Sequence, residues 1–348
     1  MTQFKLYSWG ANSHGQLGLG FKSEQELISE VELPLDPKDI KEIKCGARHS
    51  IILSKNGEIF ISGKNELNEN ECKFKRIDST FKFSYIACGW DVNAALSFSG
   101  ELFVWGNNSS NQLGYKKESI KFLQKLTLPD NEIVKSFKFG LKYMAILTMS
   151  NHILITGSLR HFRKHAENYQ VLHHNSVEWL RVNTKTDNDI ITDYACGQNH
   201  LIYVIRNHIL CSIGDNKFGQ CGNFEIPDKI VKLESGWTHN GFLTVFKQLF
   251  LFGRNNHGQC GCKSSEFIVE PQKCSISPVE QFSIGSEHCI ILSEDDIYTF
   301  GWNEHRNCGH DTDDDILIPT KLPISIFKKQ IHLLATGAGF CMVLLEVR

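Results

Sequence analysis

Short apolar runs recur along this chain in pairs, each pair joined by a few polar residues. Residues 51–53 and 59–61, 94–96 and 102–105, and 290–292 and 297–300 form such pairs, bridged by SKNGE, SFSGE and SEDD. Two β-rich runs joined by turn formers predict a β-hairpin, with residues 55–58 as one of its turns. A glycine precedes each hairpin and another closes it. The leading element reads CGARHSIIL from Cys45, CGWDVNAAL from Cys88, FGLKYMAIL from Phe139, CGQNHLIYV from Cys196, SGWTHNGFL from Ser235, IGSEHCIIL from Ile284 and TGAGFCMVL from Thr336. The step to the closing glycine is 17 residues from Gly46, Gly89, Gly140, Gly197 and Gly236, and 16 from Gly285.

What separates one hairpin from the next varies freely, from 22 to 40 residues between glycines. A constant unit with an elastic connector is the signature of a repeat array, because insertions fall in loops outside each unit's core. The 348 residues therefore form one array, residues 1–348 as a single domain, rather than two domains.

The closing glycine opens a second element: WGANSHGQLG from Trp9, WGNNSSNQLG from Trp105, IGDNKFGQCG from Ile213, FGRNNHGQCG from Phe252 and FGWNEHRNCG from Phe300. Its glycines permit a left-handed backbone and its asparagine can bond its own turn, which predicts a structured loop leading to an outer strand. Two copies are degenerate, SGKNELNEN from Ser62 and TGSLRHFRK from Thr156, so irregular outer parts are expected in those two units. The last unit has Gly337 and one apolar run, and then the chain stops; residues 4–9 supply the missing run, followed by Gly10. Pairing the two termini in one blade closes the array and removes its open sheet edges.

These paired elements resemble the repeat of the regulator of chromosome condensation family along the whole chain. The resemblance implies an all-β, seven-bladed β-propeller. CGWD, SGWTH, GSEH and GWNEH look like the subgroup of secretion-regulating guanine nucleotide exchange factors and fungal α-tubulin suppressors. For the fungal members this implies a small zinc-binding, electron-carrying CSL-type protein as heterodimer partner, with roles in diphthamide biosynthesis and in Elongator-dependent modification of the tRNA wobble uridine. For the animal members it implies exchange on a small GTPase and a link to the exocyst and secretion.

Composition narrows the function classes. Net charge is −2, which argues against a nucleic-acid binder dependent on whole-surface charge. The chain also starts inside a strand, without the basic arm of the chromatin-bound founder, so no direct DNA binding is expected. Cys45, Cys88 and Cys196 precede repeat glycines, and Cys221, Cys260 and Cys308 share one repeat position. Both groups read as small buried apolar residues rather than zinc ligands. No secretory leader and no long apolar run is present, which points to a reducing cytoplasmic or nuclear compartment without membrane insertion.

No catalytic constellation, phosphate loop or metal-ligand pair is visible, so the expectation is a non-enzymatic interaction protein with no cofactor and no metal. His49, His200, His239 and His288 occupy one repeat position and read as hydrogen-bonded histidines inside each blade. Departures from the repeat are more informative. Trp90 and Trp237 follow repeat glycines where Ala47, Leu141, Gln198, Ser286 and Ala338 stand in sister units, and Trp302 follows Gly301. Tryptophan at a position served elsewhere by small or polar residues marks a candidate partner-binding anchor. Asp91, His239, Glu287, Glu304 and His305 complete the candidate surface as its polar surround. The locally basic stretch 160–174 is expected to be a solvated loop, and DTDDD at 311–315 a solvated turn without the spacing of a calcium loop.

Overall fold

A computed structural model describes residues 3–67, 71–164, 169–183, 189–322 and 330–347. Each predicted hairpin forms the second and third strands of an antiparallel sheet. In blade 1, Ile40–Cys45 pairs with His49–Ser54, which pairs with Ile59–Gly63 and then Glu71–Arg76. Blades 2 to 6 follow over residues 83–126, 134–182, 191–225, 230–273 and 281–321. Blade 7 is built from both ends of the chain. Its order is Ser23–Val31, Gln3–Asn12, Phe340–Val347, Ile331–Thr336, with the inner pair in register from Gln3 opposite Val347 to Gly10 opposite Phe340. The chain is thus a seven-bladed β-propeller closed as its termini predict.

No blade buries its apolar side chains alone, because a four-stranded sheet offers two faces and nothing inside itself to cover them. The buried clusters therefore fall between blades. Ile51 and Ile61 of blade 1 pack with Phe83 and Val104 of blade 2, which pack with Phe137 and Met144 of blade 3. Further clusters join blades 3 to 4 through Tyr143 and Tyr194, 4 to 5 through Ile202 and Phe242, and 5 to 6 through Leu251 and Phe282. Ile290 with Trp9 and Leu6 with Ile43 complete the circle. Burial of this kind, not strand propensity, holds the ring together.

The repeat glycines line the central channel, where neighbouring blades come closest. A Cβ added to Gly236 would lie 2.6 Å from the Gly285 carbonyl oxygen, and one on Gly285 2.7 Å from that of Gly337. Backbone bonds cross the same joints: Gln198 N–H donates to Trp237 O at 2.9 Å and Trp237 N–H to Ser286 O at 2.8 Å.

The repeat histidines are buried and hydrogen-bonded, but across blade boundaries rather than inside a blade. His49 Nε2 meets Asn93 Oδ1 at 2.7 Å, and His200 Nε2 meets Asn240 Oδ1 at 2.8 Å. His239 and His288 meet Cys289 Sγ and Cys341 Sγ, each at 3.4 Å. The partner is always the residue one past the repeat-histidine position in the next blade.

Outer strands do not track motif quality as expected. Blade 1, whose loop motif is degenerate, has a six-residue outer strand, Glu71–Arg76. Blade 4 keeps the motif yet has only Phe224–Glu225 there. Blade 3 carries five strands, Val177–Val182 taking the outer position and Tyr169–His174 adding to it. The basic stretch is accordingly a short 3-10 turn, Phe162–Lys164, and an edge strand rather than a solvated loop, with 165–168 outside the described residues. Cys260 and Cys308 are buried as expected, whereas Cys221 and the channel-lining Cys45, Cys88 and Cys196 are half-buried. Burial still pushes the Cys45 and Cys196 thiols up to about 12.

Candidate functional site

Strand alternation sends both glycine loops, those before each hairpin and those after it, to one face of the propeller. The second type is stapled by its asparagine. Asn108 Oδ1 accepts from Leu113 N–H at 2.8 Å while its Nδ2 donates to Tyr115 O and Lys117 O, and Asn255 and Asn303 repeat the arrangement with Cys260 and Cys308. Side chains on these loops are held by rigid backbone, so those not required for folding are free to meet a partner.

Trp90 and Trp237, on blades 2 and 5, reach over the channel from opposite sides and meet, ring centroids 5.1 Å apart at 36°. They form part of the wall of the channel beneath and of the cavity above it. That cavity, about 380 Å³, is bounded on another side by Trp302. Trp302 packs edge-on to His305 at 5.2 Å and leans on the backbone of Gly339. Local packing therefore accounts for part of each tryptophan, and the remaining half-exposed ring surface faces one shared space.

The second loop position forms ion pairs and hydrogen bonds across blade joints. Asp91 holds Arg48 in a two-pronged pair, Arg48 Nε donating to Oδ1 at 3.0 Å. Glu287 is buried, its oxygens accepting from Thr238 Oγ1 at 2.8 Å and Gln259 Nε2 at 2.7 Å. Burial raises its pKa, and those two hydrogen bonds oppose the shift. Arg254, lying 4.8 Å over the Phe218 ring, and His257, bound to Asp315 at 2.7 Å, add cationic and polar edges to the cavity.

Of the residues expected at a partner surface, Trp90, Trp237, Trp302, Glu287 and His305 line this cavity. Asp91 lies behind Arg48, and Glu304 is exposed. His239 is fully buried and presents no surface to a partner; it stands in the inter-blade series instead. Arg48, Arg254, His14 and His257 were missed. Their only sequence signal is that they occupy variable loop positions, Arg48 at the spacing of Asp91, Arg254 at that of Trp302, and His14 and His257 at that of His305, which becomes meaningful once the ring brings blades 1, 5 and 7 together. Within 311–315, Asp311 and Asp313 face Arg306, at 3.1 and 2.8 Å.

The cavity can seat an apolar or aromatic side chain between tryptophans, with guanidinium and carboxylate groups at hydrogen-bonding range around it. On its wall Ser13 Oγ lies 2.8 Å from His14 Nδ1. Comparison with known proteins bears on the family and the fold. The secretion-regulating guanine nucleotide exchange factor of Mus musculus is 26% identical over 338 residues, covering 83% of this chain and 72% of its own length. The bovine counterpart is also 26% identical, over 75% of this chain and 62% of its own length. The ultraviolet-B receptor UVR8 of Arabidopsis thaliana is 25% identical, over 82% and 70% of the two chains. Among solved structures, Prp20p from Saccharomyces cerevisiae superposes with a TM-score of 0.86 over 99% of this chain and 91% of its own, at 19% identity. The RCC1-like domain profile matches residues 5–343, and the chain belongs to the RCC1-like domain family.

Proposed function

We propose that this propeller is an exchange-factor-like regulator that engages a small GTPase through its tryptophan-lined face. The observation that carries the reading is the convergence of Trp90, Trp237 and Trp302 on one cavity in a chain similar over most of its length to a secretion-regulating guanine nucleotide exchange factor. Exchange requires no covalent chemistry from the regulator. It requires that the regulator bind the nucleotide-free GTPase more tightly than the nucleotide-bound one, and that difference alone sets how far release is promoted. Rigid loops with aromatic anchors suit this role, since affinity is not spent on ordering them.

Release of fluorescent GDP from a panel of purified small GTPases tests the proposal. One member is expected to respond, and Trp302→Ala is expected to reduce the effect on the order of ten-fold or more, as for an interface anchor, with an unchanged melting temperature. A small zinc-binding electron carrier acting in diphthamide and wobble-uridine pathways is the second reading, which rests on the fungal resemblance alone. If no GTPase responds and the same face captures such a protein in a Trp302-dependent way, the second reading replaces the first.

A further inference from the structure

The face opposite the cavity carries the hairpin turns and the connectors between blades. In each of blades 1 to 5 one backbone bond joins the two. Lys55 N–H donates to Asp39 O, Phe98 to Lys82 O, Met149 to Ile133 O, Arg206 to Ile190 O and Val245 to Lys229 O, at 2.8 to 3.1 Å. A single structural position can thus be followed around the ring. In blade 1 it holds Asp39 and Lys55, and the turn of blade 6 is Glu294, Asp295 and Asp296. Across blades 2 to 5 its eight residues are five apolar ones, Phe98, Ile133, Met149, Ile190 and Val245, with Phe246 next to it, and three basic ones, Lys82, Arg206 and Lys229. Phe98, Met149 and Phe246 are 64%, 64% and 65% exposed. The fold does not require apolar residues there, since Lys55 makes the same bond in blade 1.

We propose that this arc docks on an anionic lipid bilayer, with the turn side chains of blades 2, 3 and 5 seated among the headgroups. Shape favours lipid over a folded partner. The apolar side chains stand at separate tight turns of blades 2, 3 and 5, with Arg206 at the turn of blade 4 between the last two, and Gly100 beside Phe98 faces open space. Isolated protrusions offer no groove for a helix or strand, whereas a fluid headgroup layer closes around each of them. Charge favours an anionic surface. Lys82, Lys135, Arg206, Lys229 and Lys247 are interleaved with the apolar tips and exposed, while the acidic turn of blade 6 lies past the end of the arc. Glu58, Asp189 and Glu280 pair with Lys82, Arg206 and Lys247, so the charge contribution is modest and the apolar tips supply most of the attraction. Apolar insertion to headgroup depth, reinforced by lysines near anionic lipid, is how peripheral proteins hold a bilayer without spanning it. The docking is independent of the exchange reading, and it would leave the tryptophan cavity facing the solution.

Co-sedimentation of the full chain with vesicles tests this. Binding is expected to vesicles of phosphatidylcholine with phosphatidylserine and to be several-fold weaker on phosphatidylcholine alone. The triple variant Phe98→Ser, Met149→Ser, Phe246→Ser should bind about ten-fold less or worse, and Lys135→Glu with Lys229→Glu on the order of five- to ten-fold less. The altered side chains are exposed, so melting curves should match the parent protein and distinguish lost docking from lost fold. Failure of the parent protein to sediment with phosphatidylserine vesicles, or retained sedimentation of the triple variant, overturns the proposal. So does loss of a protein partner by the triple variant when the parent ignores vesicles.

Discussion

Four buried histidines set the acid limit of this ring. Burial lowers the pKa of His200 and His288 to about 4 and of His239 to about 3, and lowers that of His49 as well. An unfolded histidine takes up a proton below about 6.5, whereas these stay neutral in the folded state until far lower pH. The unfolded state therefore binds more protons in that window. Stability is intact above about pH 6.5 and falls as pH drops toward 4, by about 2 kcal/mol at pH 5 for each of His200, His239 and His288, with His49 acting in the same direction. The burial-raised pKa of Glu287 works in the opposite direction but is one group against four. Melting temperature is expected to drop steeply between pH 7 and 5. Phe340 fills the same site in blade 7, its ring over Gly337 as His288 lies over Gly285, so His288→Phe should flatten the pH dependence without unfolding the protein. The sequence shows that the four histidines share a position. It does not show that each bonds the next blade, because that contact spans 40 to 53 residues. The visible trace is a polar or thiol residue, Asn93, Asn240, Cys289 or Cys341, within otherwise apolar strands.

At the level of elements, what could be read from sequence was what is local. Hairpins, their turns and the asparagine-stapled loops are all settled within about a dozen residues by turn chemistry and alternation, and each was recovered. Outer strands were not, since an edge strand is fixed by its one neighbour and by connector length, and the two-residue strand of blade 4 and the fifth strand of blade 3 leave no pattern in the loop motif. The pairing of Trp90 with Trp237 was equally illegible: each stands out as an exception, but only ring geometry brings blades 2 and 5 face to face. Closure of blade 7 was legible because the two termini each supply half a hairpin. Its consequence is testable. Residues 340–348 include the strand paired with all of residues 3–10, and it carries Phe340, Met342 and Leu344 into one inter-blade cluster and Cys341, Val343 and Leu345 into another. Deleting 340–348 should abolish the cooperative thermal transition, and a truncated chain melting at the parent temperature would show that the ring does not depend on this clasp.

The whole molecule behaves as one unit for the same reason that no blade has a core of its own. In an open stack, damage to one repeat stays near it, because each repeat answers only to its neighbours. Here the clusters run from blade to blade through a closed circle, so opening any joint exposes apolar surface on both sides and releases the two ends of the ring together. Gly236→Ala puts this to the test. The new methyl would press on the His239 ring and on the Gly285 carbonyl oxygen at the joint between blades 5 and 6, at a cost of about 2–4 kcal/mol. Amide hydrogen exchange should then accelerate in the inner strand of blade 2, Val92–Ser97, across the channel from the substitution, by the same factor as in the blade 5 strand His239–Thr244. Equal acceleration is what a single cooperative ring requires. Acceleration confined to blades 5 and 6 would mean that the blades open separately and that the clasp in blade 7 joins the ends of the chain without making the ring cooperative.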